Sequence, residues 1–383
     1  MPLKVPSLSV ITLWLVIVAV LGASVTIWGL IFARLGAREP IVPYEPRRPQ
    51  PRGGIDILMV VLLGLVVLMI GALVARTVAA TDGSTTTATP AAPAVSSGDA
   101  KQTSSSEVNG AAAKTPDSKH DKPAKQREIG PNDLISSMCL ELIVVVLLVA
   151  AVRAMAGATW RDLGLNFSRL GYDAAIGVCA YLAAIVPLMA LQWALAVVFQ
   201  QPYTHPIIEG YKHQPNPWML SLTALSAIIV APLCEELLFR VLLQGWFESL
   251  EATWQKRRRA KDERNLPPPE PVLLEPAPLP AAGDNPYAAP AAPLVAVGAP
   301  ASLDTFVPKP ACWPILLSSV LFAMMHFGQG LAPVSLFFLA LVLGYLYQRT
   351  HRLWPSLVVH VLLNAGSILV LWLSVTNSSP IAK

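Results

Sequence analysis

The stretch APLCEELLFR, residues 231–240, ends a long apolar run and carries two carboxylates and an arginine. A charge at bilayer depth costs at least ~2.5 kcal/mol, so such residues face a protein interior or a wet cavity and usually mark function. Glu236 and Arg240 are four apart. On a helix they share a face, acid before base, which is the favourable order for a structural ion pair. Glu235 has no partner in its own helix, so it must be protonated, solvated or matched from another helix.

The rest of the chain supplies the membrane. Its 383 residues are 54% hydrophobic and 14% charged, with a mean hydropathy of +0.53, well above an ordinary soluble domain. Apolar runs near the ~20 residues that cross a bilayer fall at 9–33, 55–75, 134–152, 174–199, 217–238, 313–330, 333–349 and 354–374. They predict an all-α, polytopic transmembrane helix bundle of about eight spans. The first run exceeds the core of a secretory signal and is read as an anchor. The net charge of +4 gives no case for nucleic acid. Four cysteines, Cys139, Cys179, Cys234 and Cys312, stand singly in apolar stretches and are expected to be small buried hydrophobes.

Basic residues orient the spans. Arg34, Arg38, Arg47, Arg48 and Arg52 lie between the first two runs, and Arg153, Arg161 and Arg169 between the third and fourth. KRRRAK, 256–261, follows the fifth, and Arg349 and Arg352 separate the last two. These are alternate loops, so the positive-inside rule places both termini outside and all four clusters in the cytoplasm. The expected location is a bacterial inner membrane, with the lipid bilayer itself as a partner.

The expected organisation is two N-terminal transmembrane helices in 1–78, a disordered extracytoplasmic linker at 79–130, a helical core over 131–374 and a tail at 375–383. A cytoplasmic insertion at 256–311 with 13 prolines interrupts the core. Its composition predicts an extended tether.

Three further places put polar chemistry inside apolar runs: His326, His360 with Asn364, and Glu141. A histidine such as His326 is, alone, usually a hydrogen-bonded core residue. His360 and Asn364 are four apart, ~6 Å along one helix face, and could equally hydrogen-bond across helices. Together with Glu235 they suffice for peptide hydrolysis. A carboxylate and an imidazole share the activation of water, and two donors hold the oxyanion. No HExxH occurs, and no Gly-Asp pair falls in a span. Cys234 is not read as a nucleophile, because an apolar setting disfavours its thiolate. Glu141, by depth, falls in the outer half of its span and is left out of the site.

EELLFR fits an EExxxR pattern, Phe322 to His326 an FxxxH pattern, and His360 to Asn364 an HxxxN pattern, in order along the chain. WRDLGLNFSRLG, 160–171, is similar to a segment that often precedes this core. The chain thereby resembles the CPBP family of CAAX proteases and bacteriocin-processing enzymes, also called Abi, over roughly 134–374. The resemblance implies an intramembrane endopeptidase in which Glu235 and His326 activate water and His360 and Asn364 form the oxyanion hole. Glu236, Arg240 and Phe322 would be supports, and the substrate a peptide or membrane protein. No cofactor is expected, although Glu235, His326 and His360 would be the ligands if zinc were used. The long connection between the first two motifs departs from the family pattern.

Two readings from other classes compete: a proton-coupled transporter or channel using the same groups as a relay, and an inactive membrane scaffold. Depth counting also raises a difficulty. His360 lies ~9 Å into its span while His326, counted from Trp313, lies ~20 Å deep. The sixth helix must therefore begin outside the hydrocarbon for the site to close.

Overall fold

A computed structural model describes residues 8–46, 55–85, 131–200, 217–265 and 307–378. Among these residues all regular structure is helical. We number the helices α1 (Leu8–Gly36), α2 (Ile55–Thr85), α3 (Pro131–Ala156) and α4 (Leu170–Phe199). The fifth, α5, is continuous but uneven. It is α-helical over Pro217–Leu225, Ala231–Glu236 and Gly245–Asn265, and π-helical over Ser226–Val230 and Leu237–Gln244. Then follow α6 (Trp313–Met324), α7 (Ala332–Thr350) and α8 (Leu353–Ser378).

Six helices are long and apolar enough to cross a membrane, and the apolar stretches Leu58–Val74 and Trp313–Met324 are shorter. Large side chains such as Trp14, Phe32, Leu147, Trp193 and Val198 point outward. On a soluble protein that surface would be an error; on a bilayer-embedded bundle it is the lipid-facing wall. The chain is an integral membrane helix bundle.

Three boundaries differ from the sequence reading, one of them at the tail, where α8 runs on through 375–378. Helix α2 runs on through 79–85 and α5 through 256–265, stretches assigned above to linkers. Residues 256–265 are strong helix formers with no breaker, and a helix already nucleated extends through them at little cost. The remaining linker and tail assignments, 86–130, 266–306 and 379–383, lie outside the described residues, as do Arg47, Arg48 and Arg52. The cysteine expectation holds only for Cys234, since Cys139, Cys179 and Cys312 are exposed on the bundle surface. A thiol is apolar enough to sit on a lipid-facing wall without a packed pocket.

The core has two parts. One gathers α2, α3, α5 and α6 around Phe239, Leu243, Phe247 and Phe322. The other joins α4, α7 and α8 around Leu188, Leu339, Leu343 and Val359. Helix α8 packs along α4, and α7 along α6. The α4–α8 approach is close because Gly177 has no side chain: a Cβ there would lie 2.7 Å from Cβ of Val358 and 2.8 Å from the Pro355 carbonyl oxygen.

Helix α6 begins level with the charged part of α5. The Trp313 indole donates to Glu251 (2.7 Å) and stacks on Trp254. Gln255 and the Lys309 backbone exchange two hydrogen bonds of 2.9 Å each. Helix α6 is short, 12 residues, and ends just before His326.

Candidate active site

Helix α5 delivers the carboxylates. Pro232 has no N–H to give the preceding turn, and the π stretch Ser226–Val230 lies directly before it. A second π stretch begins straight after Glu236. Widened turns of this kind leave backbone carbonyls free for side chains and recur at functional sites. One carbonyl is used here, since Asn364 Nδ2 donates to Ala227 O at 2.7 Å.

The Glu235 carboxylate lies between two imidazoles. His360 Nε2 is 3.5 Å from one of its oxygens and His326 Nε2 3.9 Å from the other. The sequence expected His326 on a helix. It sits instead in the turn just beyond α6, where its Nδ1 donates to Phe322 O at 3.0 Å. That bond fixes the proton on Nδ1 of the neutral ring and leaves the Nε2 lone pair facing Glu235. A gap of 3.9 Å is too long for a direct hydrogen bond and suits two acceptors sharing one water.

Glu236 turns inward. Its Oε1 receives His360 Nδ1 at 3.1 Å and its Oε2 lies 3.5 Å from Arg240 Nε, while the buried Ser356 hydroxyl donates to the Leu353 carbonyl at 3.0 Å. Glu236 and Arg240 are wholly buried. As expected of them, they form a pair, and it braces His360 from behind. The Phe322 ring packs against both imidazoles, 5.1 Å from His326 and 5.9 Å from His360 between centroids, with the Arg240 guanidinium over its ring at 5.3 Å. Unlike Glu236, Glu235 is 28% exposed at its side chain, so the site is open on that side.

Six of the sequence-derived residues, Glu235, Glu236, Arg240, Phe322, His326 and His360, therefore share one cluster, and Asn364 stands one turn along α8 from His360. Three contributors were missed. Ser356 gave no sequence signal beyond standing four residues before His360. Glu141 on α3 was set aside by depth, yet it interacts electrostatically with Glu235 and accepts a hydrogen bond from Ser137 at 3.5 Å. Gln244, one turn beyond Arg240, donates to the Gly344 carbonyl (2.8 Å) and to Glu248 (3.0 Å). Among the described residues no group of three or more His, Cys, Asp or Glu side chains is arranged to hold a metal ion.

Comparison with known families matches residues 299–366 to the family model described as "Type II CAAX prenyl endopeptidase Rce1-like", consistent with the CPBP family. The match takes in His326, His360 and Asn364 and stops short of the carboxylates on α5. Neither the comparison with curated proteins nor that with solved structures finds a match.

Proposed function

We propose that the protein is an intramembrane endopeptidase in which Glu235 and His326 activate water. The matched family is one of CAAX prenyl endopeptidases, which supports a peptide hydrolase. The observation that carries the mechanism is the Glu235 carboxylate set between Nε2 of His326 and Nε2 of His360, at 3.9 and 3.5 Å.

A water held between Glu235 and the His326 lone pair donates to both and points its oxygen lone pair at the scissile carbonyl. As the C–O bond forms, the water proton passes to this acid-imidazole pair. The negative charge moves to the carbonyl oxygen. His360 and the second amide hydrogen of Asn364, the one not spent on Ala227, supply the oxyanion donors. His360 can donate from Nε2 while Nδ1 faces Glu236 only as an imidazolium, and Glu235 and Glu236 together provide its countercharge. Collapse breaks the C–N bond, and the stored proton leaves on the new amine. No step needs a metal.

The proposed substrate is a peptide or membrane-protein segment reaching the site through the bilayer, with a carboxyl-terminal prenylated cysteine peptide as the first candidate. Arg34, Arg38, Arg169, Arg349 and Arg352 stand in or beside the ends of helices that alternate along the chain, and the proposal puts that end in the cytoplasm. The test is cleavage of a farnesylated tetrapeptide reporter, beside its unprenylated counterpart, by the purified chain. Glu235→Gln and His326→Ala should each remove cleavage while leaving the protein monodisperse. Ion flux into vesicles with no cleavage by the wild type would instead select the relay reading.

A further inference from the structure

Outside the part of the chain that resembles the protease core, residues 37–46 follow α1 and return across the turn between α7 and α8. We infer that this segment is a strap that positions α8, the helix carrying Ser356, His360 and Asn364, and that Glu45 is its principal positioning residue.

The contacts are dense and come from both backbone and side chains. The Glu45 N–H donates to the Arg349 carbonyl (2.8 Å), and Arg349 Nε returns a bond to the Val42 carbonyl (2.7 Å). His351 Nδ1 donates to the Glu45 carbonyl (2.7 Å). The Glu45 carboxylate pairs with Arg352 and, at 3.5 Å, with Arg169. Arg352 also holds Asp173 on α4 at 2.8 Å. Val42 is buried in the core of α4, α7 and α8, and the Tyr44 ring meets His351 edge-on.

The turn gripped in this way is one that needs holding. His351 has φ 48°, a left-handed conformation that a residue with a Cβ adopts at a cost. Leu353, the first residue of α8, donates to the Gly164 carbonyl at 3.1 Å. Gly164 itself has φ +74°, and a Cβ there would press on His351 O and Leu353 N at 3.2 Å. The strap and the 159–169 segment thus hold the start of α8 from two sides. His360 lies eight residues past Arg352, ~12 Å along a rigid helix, so movement at the turn is carried to the imidazole. A displacement of ~1 Å at a reacting group can cost about 10²-fold in rate. A second line runs from His351 Nε2 to Glu248 (3.1 Å), on to Gln244 and one turn back to Arg240, so the same turn touches the support of Glu236.

The effect on rate rests on the peptidase reading; the effect on α8 does not. The test uses the full chain in lipid nanodiscs, as wild type, Glu45→Ala, Glu45→Gln and Arg349→Met. Amide hydrogen exchange is followed over 350–361 and over α6, and cleavage is measured on the farnesylated reporter. Glu45→Ala should speed exchange over 350–361, leave α6 unchanged and lower kcat about tenfold with KM within about twofold, a part of the cost of misplacement. Glu45→Gln, which keeps an oxygen for Arg352, should recover most of both. Arg349→Met should repeat the exchange result without touching Glu45. Wild-type exchange in Glu45→Ala, or faster exchange spread evenly over the bundle, would overturn the strap. If the wild type does not cleave while 350–361 loosens as expected, the peptidase reading falls and the strap stands.

Discussion

Two clusters in this bundle are built from the same side chains, carboxylate, imidazole and guanidinium, and they are satisfied differently. At the end of α7, Arg352 lies between Glu45 and Asp173, and His351 between a backbone carbonyl and Glu248. At the site, Arg240 is wholly buried, and its Nη1 and Nη2 have no hydrogen-bond partner. There Glu235 stands 3.5 and 3.9 Å from its imidazoles. A polar network in which each side chain has a partner, here with one Asp173 oxygen left over, rigidifies the turn it holds. One that leaves gaps keeps capacity for water and substrate, as chemistry requires.

The contrast can be broken first at its reactive member. Glu235→Gln or His326→Ala should lower reporter cleavage by about 10²–10⁴-fold, the usual contribution of general acid–base groups, with no change in elution on size exclusion. Asn364→Ala should follow at about 10²–10³-fold in kcat if its free amide hydrogen is an oxyanion donor. Next comes stability. Glu236→Gln leaves the buried Arg240 charge unmatched and should cost about 3–5 kcal/mol, read as a fall in thermal midpoint in detergent. Asp173→Asn in the other cluster leaves Arg352 with Glu45, and should cost no more than the ~1.5–3 kcal/mol of a charged hydrogen bond. Equal losses at the two sites would erase the distinction. The smallest effect belongs to Arg259→Ala, which breaks an exposed 2.8 Å pair with Glu263 and should shift stability by under ~1 kcal/mol.

Much of the site was legible because intramembrane charge is expensive and therefore rare. Glu235, Glu236 and Arg240 announced themselves by interrupting an apolar run, and His360 with Asn364 by helical spacing. The turn at His326 was not legible. FAMMHFGQG reads as continuous apolar helix, and only the glycines with φ 97° and 61°, Gly328 and Gly330, reveal where it breaks. The π stretches left no trace either, since a five-residue hydrogen-bond step changes which backbone atoms pair and not which residue types are needed. The strap was hidden behind its own charges. Arg34 and Arg38 spoke for topology, whereas Glu45, one acid between Pro43 and Pro46, gave no signal, and its partner Arg352 stands more than 300 positions later.

The reciprocal bonds between Gln255 and Lys309 have a bearing on how such a chain evolves. They fasten α5, twenty residues beyond Glu235, to the chain just before α6. The length of whatever lies between is thereby decoupled from the spacing of Glu235 and His326. A descendant could shed residues 266–306, or acquire a whole new module there, and still inherit the same placement of Glu235 and His326.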